Sequence, residues 1–213
     1  MRQQNVPETK GAYERAKRAL DLAIALPAAV VLAPVFAAVA AAIKLDSRGP
    51  VIFRQERIGR HGRRFEILKF RSLHGDPPGR PSDYLISAGD TRITRVGASL
   101  RRWSLDELPQ IWNIVRGDMS LVGPRPTLRY QVEQYTDFQR RRLEVPPGIT
   151  GWAQVRGRNV LTWPERIELD VWYVDHRSLR LDLEILLRTI PMLFRPGSIY
   201  GDAQADWGER KQA

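Results

Sequence analysis

The sequence predicts a mainly α-helical fold with one small β-hairpin, preceded by an apolar helix that is bent near its middle. Apolar residues recur with helical spacing in several segments of the second half of the chain, which is typical of helices packed on a core. Two β-prone runs flank a glycine-containing turn near residue 60 and indicate a hairpin. Residues 22–43 contain no charged side chain, so this segment is a candidate for insertion into a membrane.

The apolar segment from Leu22 to Ile43 would be about 33 Å long as a straight helix, enough to cross a bilayer. Ten of its 22 residues are alanine, and Pro34 interrupts the helical hydrogen-bond ladder near its middle. Basic residues flank both ends, so the positive-inside rule gives no direction across the membrane. We therefore expect a re-entrant helix-break-helix that enters and leaves by the cytoplasmic face. A spanning helix and a buried soluble helix are the alternatives.

The rest of the chain is predicted to contain a hairpin, a loop and five helices. The strands are Val51–Arg57 and Phe65–Arg71, and the loop, rich in glycine, proline and serine, is Ser72–Asp90. The predicted helices are Arg95–Arg102, Leu105–Arg116, Leu128–Leu143, Trp163–Asp175 and Asp182–Phe194. We expect three regions: residues 1–46 with the membrane helix, a catalytic domain at 47–197 and a C-terminal tail at 198–213.

The amino-acid composition restricts the kinds of site that the chain can form. The chain has 213 residues and no cysteine, which excludes a disulfide framework, a thiolate zinc site and a thiol nucleophile. Its three histidines are scattered, which argues against a histidine metal site. The net charge of +10 indicates an acidic partner, such as nucleic acid, anionic lipid or a phosphorylated substrate. Most basic residues are arginine, which suits phosphate recognition. A GC-rich genome, which raises the arginine and alanine content together, is the alternative explanation.

Two adjacent carboxylates, Asp106 and Glu107, are the most distinctive polar feature. Ser104 and Glu107 have the spacing of a capping box, in which case the acidic pair only begins a helix. Pro109 argues against a purely structural cap because it removes a ladder hydrogen bond. A phosphate-binding pocket that requires a carboxylate is the alternative, since arginines are frequent nearby. These arginines are Arg101, Arg102, Arg116 and Arg125.

Other basic residues lie in stiff or exposed positions. The Gly123–Pro126 tetrapeptide is either a rigid turn or a device that directs Arg125 with little loss of entropy. Gly157 and Arg158 allow the same two interpretations. Lys69 and Arg71 fall on one face of the second hairpin strand, which indicates solvent or a site on that face.

Ten short motifs occur in order along the chain, at residues 17–21, 47–50, 53–59, 69–72, 92–97, 104–109, 112–113, 117–126, 147–152 and 169–173. In combination these motifs resemble the bacterial sugar transferases that act on polyprenyl phosphate, the small monotopic phosphoglycosyl transferases. The resemblance runs from about residue 14 to residue 195. Departures are small, namely Leu73 in place of the common methionine and Arg156 in place of a smaller polar residue.

The resemblance implies a monotopic protein of the bacterial inner membrane, with its catalytic domain on the cytoplasmic face and Pro34 at the re-entrant break. It implies that Asp106 attacks the sugar-bound phosphorus of a UDP-sugar and releases UMP, and that polyprenyl phosphate then takes the sugar phosphate from Asp106. Glu107 would act as an acid or base or help to bind Mg²⁺. The implied phosphate-binding residues are Lys69, Arg102, Arg125 and Arg158, and the implied Mg²⁺ ligands are Asp106, Glu107 and Asp170.

The main rival hypothesis is a membrane-tethered nucleic-acid-binding protein, suggested by the net charge. Such a protein interleaves aromatic side chains with its basic patch, and only Phe65 and Phe70 could serve that purpose here. We therefore expect a UDP-sugar, polyprenyl phosphate and membrane lipid as partners, and no nucleic acid. The identity of the sugar and self-association into a homodimer are left open by the sequence.

Overall fold

The structure is a computed structural model that describes residues 8–74, 90–157 and 161–193. Within these ranges the chain is mainly helical with two small sheets, so the predicted fold class is confirmed at that level. The helices are α1 Glu8–Val31, α2 Ala33–Asp46, α3 Arg95–Arg102, α4 Gln110–Arg116, α5 Arg129–Glu133, α6 Asp137–Arg140, α7 Trp152–Gly157, α8 Trp163–His176 and α9 Leu179–Leu193. The strands are β1 Ile52–Ile58, β2 Arg64–Phe70, β3 Ser120–Val122 and β4 Gly148–Thr150.

Helices α1 and α2 meet at a bend of 58°. Pro34 lies in the first turn of α2, where its missing N–H costs no hydrogen bond. The same proline cannot continue α1, because its ring collides with the carbonyl four residues earlier. The expected break is therefore present, with Leu32 as the residue between the helices. In the described ranges no single helix is long and apolar enough to cross a membrane, whereas this bent pair reaches the required length and hydropathy together.

The hairpin of β1 and β2 is confirmed. The strands are antiparallel, and Phe53 is paired with Lys69 in the register. His61 and Gly62, at φ of 56° and 76°, reverse the chain between the strands. Of the loop predicted at 72–90, residues 75–89 lie outside the described residues. An antiparallel backbone bridge joins Leu73, near the start of the predicted loop, to Ile93, three residues after its end.

A second sheet, of β3 and β4, is not among the predicted elements. The strands are parallel and only three residues long, with Ser120 opposite Gly148 and Val122 opposite Thr150. A side chain on Gly123 would lie 2.4 Å from the carbonyl oxygen of Pro146. Glycine therefore permits the close approach of the chain after β3 to the chain before β4.

Two predicted helices are wrong in their extent. The segment Leu105–Arg116 divides into a 3₁₀ turn at Leu105–Glu107 and α4, because Pro109 precedes the first residue of α4. The segment Leu128–Leu143 divides into α5, α6 and a 3₁₀ turn, because Thr136 caps a new helix by accepting from the backbone N–H of Gln139.

The other predicted helices agree with the structure, whereas α7 is not among the predicted elements. Helix α3 has its predicted bounds, and α8 ends one residue later than predicted. Helix α9 begins at Leu179 rather than at Asp182, since the hydroxyl of Ser178 accepts from the backbone N–H of Leu181 at 3.2 Å. Phe194 and the tail from residue 198 lie outside the described residues.

Apolar packing joins α1 to the helix that follows the acidic pair. Ala25 of α1 is buried in one cluster with Ile111 and Ile114 of α4, together with Ile67 of β2 and Met119. The small side chains of α1 allow the two helices to approach closely. The bent pair is therefore packed onto the domain rather than separate from it.

Candidate active site

The carboxylate of Glu107 is held between two cations from distant parts of the chain. Lys69 of β2 donates from Nζ to Oε1 at 2.8 Å. Arg125, which follows β3, donates from Nη2 to the same oxygen at 2.6 Å and from Nη1 to Oε2 at 3.4 Å. These three residues are called the Glu107 cluster below. It joins the hairpin, the acidic turn and the loop after β3 at one point.

The capping box expected at Ser104 and Glu107 is absent, and this prediction was wrong. The hydroxyl of Ser104 caps no helix, and the carboxylate of Glu107 is used by Lys69 and Arg125 instead. Ser104 has φ of 55°, in the left-handed region where a serine is strained by about 1–3 kcal/mol. This backbone turn directs Asp106 and Glu107 into the site, rather than along a regular helix.

Asp106 is buried, at 7% exposure, and among the described residues no side chain or backbone N–H donates a hydrogen bond to its carboxylate. Burial raises the pKa of Asp106, and the negative charge of Glu107 adds to this effect. The positive charges of Lys69, Arg101 and Arg125 oppose it. A carboxylate with free lone pairs next to cations is suited to attack a phosphorus atom.

Glu107 has the opposite electrostatic character. Burial would raise its pKa, but Arg125 and Lys69 outweigh burial and hold the pKa of Glu107 well below its usual range. Glu107 is therefore an ionised counter-ion with both oxygens engaged, while Asp106 is free. Environments that push two neighbouring carboxylates apart in pKa give them different chemical roles.

The backbone around Arg125 is fixed by the second sheet. The carbonyl of Pro124 accepts from the N–H of Gly148 at 2.9 Å, and the N–H of Gly123 donates to the carbonyl of Thr150 at 2.9 Å. Arg142 donates from Nη2 to the carbonyl of Arg125 at 3.1 Å. The rigid turn and the directed arginine, left as alternatives by the sequence, are thus both present.

Asp170 lies in α8 and pairs with Arg142, which is also buried. Burial raises the pKa of Asp170, and the charge of Arg142 offsets part of that rise. Arg142 donates as well to the hydroxyl of Tyr135 at 2.7 Å. In the described part of the chain no three Asp, Glu or His side chains come together as a metal site. The expected Mg²⁺ ligands Asp106, Glu107 and Asp170 are therefore not brought together, because Asp170 forms an ion pair with Arg142.

The basic residues expected near Asp106 are only partly brought there. The guanidinium of Arg102 lies 5.9 Å from the ring centre of Trp103, at the end of α3. Its neighbour Arg101 is the one whose charge acts on Asp106, and it donates from Nε to the hydroxyl of Ser72 at 2.8 Å. Arg158 lies outside the described residues.

Asn113 is a positioning residue that the sequence analysis missed. It is fully buried in α4, and its Oδ1 accepts from the N–H of Leu68 at 3.0 Å. Its Nδ2 donates to the carbonyl of Glu66 at 2.7 Å. These bonds attach α4 to β2 next to Lys69, so they set the distance between Lys69 and the acidic turn. A polar residue on the buried face of an apolar helix was the available signal.

Arg166 is a second residue that the sequence analysis missed. It lies one helical turn before Asp170 on the same face of α8, and its charge acts on Arg125, Arg142 and Asp170. Burial and the charge of Arg125 lower the pKa of Arg166. Its Nε donates to the carbonyl of Leu161 at 3.1 Å, and no described carboxylate forms an ion pair with it. Helical spacing from Asp170 would have placed it near the site.

The donor set fits one mode of Mg²⁺ binding. Magnesium in phosphate-processing sites commonly takes one or two carboxylates and completes its shell with water and substrate phosphates. Asp106 offers a carboxylate with no described hydrogen-bond partner, whereas Glu107 has both oxygens occupied by cations. Asp106 is therefore the residue that suits such an ion.

The fold and the site define a class: a mainly helical domain, packed on a bent apolar helix pair, with a buried carboxylate among cations suited to phosphate. The model of the bacterial sugar transferase family matches residues 12–196, and the chain belongs to this family. The family expected from the sequence is thereby confirmed.

Three relatives illustrate the similarity. An uncharacterised sugar transferase of Bacillus subtilis, EpsL, is 44% identical over 174 residues, which are 82% of this chain and 85% of EpsL. The UDP-glucose:undecaprenyl-phosphate glucose-1-phosphate transferase of Caulobacter vibrioides is 42% identical over 202 residues, 91% of this chain and 75% of that protein. A UDP-N-acetylgalactosamine-undecaprenyl-phosphate N-acetylgalactosaminephosphotransferase of Aeromonas hydrophila is 41% identical over 184 residues, 84% of this chain and 43% of its own length.

Proposed function

We propose that this protein transfers a sugar 1-phosphate from a UDP-sugar to undecaprenyl phosphate, an early membrane step in making a polysaccharide or glycoconjugate. The observation that carries the proposal is the buried, unbonded carboxylate of Asp106 beside the Glu107 cluster, in a chain of the bacterial sugar transferase family. The names of the Caulobacter and Aeromonas relatives describe this type of reaction with two different sugars.

In the first half of the proposed reaction, a carboxylate oxygen of Asp106 attacks the sugar-bound phosphorus of the UDP-sugar. A bond forms between this oxygen and phosphorus, and the bond from phosphorus to the oxygen that bridges the two phosphates breaks. The electron pair of that bond leaves with UMP, and a phosphosugar remains attached to Asp106. Burial supports the role, because it raises the pKa of Asp106 and so makes the ionised carboxylate more basic and more nucleophilic.

In the second half, an oxygen of undecaprenyl phosphate attacks the same phosphorus. The bond to Asp106 breaks, the carboxylate is restored, and undecaprenyl diphosphate sugar is released. The donor and the acceptor use one site in turn, so the cations that surround Asp106 neutralise phosphate charge in both halves.

We assign the cations as follows. Lys69 and Arg125 hold Glu107 in place and contact the phosphates of the UDP-sugar from the same side. Arg101 and Arg166 supply further positive charge on either side of this pair. Arg158, which follows α7, remains a predicted phosphate ligand. Bound Mg²⁺ would supply Lewis-acid stabilisation of the substrate's phosphate oxygens, held by Asp106 with support from the charge of Glu107.

The bent pair of α1 and α2 is proposed to enter and leave the membrane by the cytoplasmic face. Val30 and Val31, at 74% and 73% exposure, are the apolar side chains at the bend, where lipid would cover them. Arg15 and Arg48 are exposed near opposite ends of the pair. Because the chain has no native cysteine, Arg15→Cys and Arg48→Cys can be labelled singly in intact spheroplasts. Protection of both from an impermeant reagent is expected, and labelling of only one would establish a spanning segment.

The function is tested by UMP release from a panel of UDP-sugars, with undecaprenyl phosphate and Mg²⁺ present. We expect one or a few UDP-sugars to release UMP in proportion to lipid-linked sugar, which also identifies the donor. Asp106→Asn protein is the matched control and should release none. If the wild-type protein releases no UMP with any sugar and shifts DNA at physiological salt instead, the nucleic-acid-binding hypothesis replaces this one.

A further inference from the structure

Helix α1 makes polar contacts with the two elements that bear the candidate site. Arg18 donates from Nη1 to the carbonyl of Ile114 at 2.5 Å and from Nη2 to the carbonyl of Val115 at 2.8 Å. Asp21, one turn further along α1, accepts from the N–H of Leu121 at 3.0 Å. One face of α1 thus reaches both the end of α4 and the middle of β3. Arg18 and Asp21 are called the α1 clamp below.

The two contacted elements lead directly to the reacting groups. Helix α4 begins at Gln110, immediately after the turn that carries Asp106 and Glu107. Strand β3 ends at Val122. The chain then continues to Arg125 through Gly123 and Pro124, whose backbones are hydrogen-bonded to β4. A shift of α4 relative to β3 would therefore separate Glu107 from Arg125. The α1 clamp contacts α4, which follows Glu107, and β3, which precedes Arg125.

Apolar packing also holds α1 on the domain. Ala25 is already buried against Ile111 and Ile114, just beyond the clamp. Asp21 is only 3% exposed, and no described cation forms an ion pair with it, although burying a carboxylate is costly. Directional hydrogen bonds fix register and orientation, whereas apolar contacts tolerate sliding. Arg18 also donates to the carbonyls of Val115 and Ile114 at the C-terminus of α4, where positive charge is favourable, although the carbonyl of Ile114 accepts from the N–H of Gly117 as well.

We infer that Arg18 and Asp21 are positioning residues that set the geometry of Asp106, Glu107 and Arg125 from the membrane helix. The inference rests on the proposed function, because that function makes this geometry matter for turnover. Helix α1 then has a role beyond anchoring, because it also fixes the acidic turn before α4 relative to Arg125 after β3. Misplacing reacting groups by about 1 Å can reduce turnover about 100-fold, so even a partial slip is measurable.

The test uses the full chain in lipid nanodiscs and the UDP-sugar that the wild-type protein accepts. Asp21→Leu and Arg18→Met remove the clamp, and Asp21→Asn keeps an oxygen that can accept from Leu121. Glu14→Gln is the matched control, since it removes a different bond of α1, to Arg60 in the hairpin turn. Each protein is assayed for kcat, KM, thermal unfolding and recovery in the membrane fraction.

We expect kcat to fall by about tenfold or more in Asp21→Leu and Arg18→Met, with KM for both substrates within about threefold and membrane recovery unchanged. Asp21→Asn should retain most of the wild-type kcat, and so should Glu14→Gln. Equal losses in Asp21→Asn and Asp21→Leu would overturn the inference, as would losses that follow unfolding or poor membrane recovery. Failure of the wild-type protein itself to release UMP would overturn the proposed function and the inference with it. This outcome is distinguishable, because it is seen without any substitution in the α1 clamp.

Discussion

At the scale of single residues, Asp106 and Glu107 are neighbours in the chain with opposite surroundings. Glu107 accepts from Lys69 and Arg125, and their charges lower its pKa. Asp106 is buried, no residue in the described ranges donates a hydrogen bond to its carboxylate, and burial raises its pKa. The difference resolves a question that the sequence leaves open, because it separates a structural counter-ion from a free carboxylate. The strained backbone of Ser104 accompanies this arrangement.

Asp106→Asn should make the protein inactive but more stable. The substitution keeps the shape of the side chain and removes the cost of burying a charge without hydrogen bonds, so we expect a gain of about 1 kcal/mol in the free energy of unfolding. Urea unfolding of the detergent-solubilised protein at pH 7 with EDTA measures this difference. A variant that is less stable than the wild-type protein would show that Asp106 is held by bonds absent from this structure.

Glu107→Gln should have the opposite effect on stability. Without the carboxylate, Lys69 and Arg125 lose their common partner and repel one another, while the partial exposure of Arg125 limits the cost. We expect a loss of about 1–3 kcal/mol in the same unfolding assay, together with a loss of UMP release. Glu133→Gln, which breaks the exposed ion pair with Arg129, is the control and should change stability by less than about 0.5 kcal/mol.

At the scale of secondary-structure elements, the site depends on two attachments. Asn113 joins α4 to β2, and the β3–β4 pair fixes the chain that leads to Arg125. Neither attachment contains a group that would contact substrate. We therefore expect the geometry of the candidate site to be sensitive to these buried contacts.

Asn113→Leu should unfold more easily than the wild-type protein. The N–H of Leu68 and the carbonyl of Glu66 would lose their partners, which costs about 2–4 kcal/mol for two buried backbone groups. Asn113→Asp keeps the acceptor for Leu68 but would place a buried carboxylate against the carbonyl of Glu66 and the carboxylate of Asp118, so a loss at least as large is expected. Thermal unfolding with all three proteins measures the order. Equal stability of Asn113→Leu and wild type would contradict the role of these bonds.

Gly123→Ala should disrupt the second sheet. The added methyl group would lie 2.4 Å from the carbonyl oxygen of Pro146 and 2.9 Å from the N of Gly148, both backbone atoms that cannot rotate away. We expect at least a tenfold loss of UMP release, since Arg125 would be displaced. Gly11→Ala is the control, because nothing lies within 4 Å of the added atom, and it should leave activity unchanged. Equal activity of both variants would show that β3 and β4 have room to separate.

The elements that the sequence predicts well are those whose signals are local. The hairpin, α3 and α8 follow from turns, apolar spacing and capping within a few residues. The parallel pair of β3 and β4 is only three residues per strand, too short for a periodic signal. Glu107 is 38 residues from Lys69 along the chain, so their ion pair is a product of tertiary packing. The capping-box prediction failed for this reason, since distant cations competed for the same carboxylate.

At the scale of the whole molecule, the bent helix pair and the domain form one packed unit. Helix α1 is packed on α4, and its buried Lys17 pairs with Asp182 of α9 at 2.9 Å. Asp182 also accepts from the hydroxyls of Tyr13 and Tyr173 at 2.9 and 2.7 Å. The part of α1 before the apolar segment is therefore tied to the last described helix, and the apolar bend is left exposed.

Charged substitutions at the exposed bend should release the protein from membranes. Val30→Asp with Val31→Asp adds charges where the structure has no core contacts to lose, and each charge costs about 2.5–3.5 kcal/mol in a bilayer. Phe138→Asp, at an exposed site on α6, is the control and should remain with the membrane fraction. Sedimentation of lysates measures the distribution. Retention of the double variant in the membrane fraction would show that α1 and α2 do not carry the attachment.

Asp106 is proposed to carry the sugar phosphate between donor and acceptor, and this covalent species can be trapped on the protein. The wild-type protein is incubated with Mg²⁺ and the UDP-sugar it accepts, labelled at the sugar-bound phosphate, without undecaprenyl phosphate, and is then quenched and digested. We expect the label, with the mass of one sugar phosphate, on the peptide that contains Asp106, and its disappearance when undecaprenyl phosphate is added before quenching. Label on another residue, or normal turnover by Asp106→Asn, would show that Asp106 does not carry the sugar phosphate.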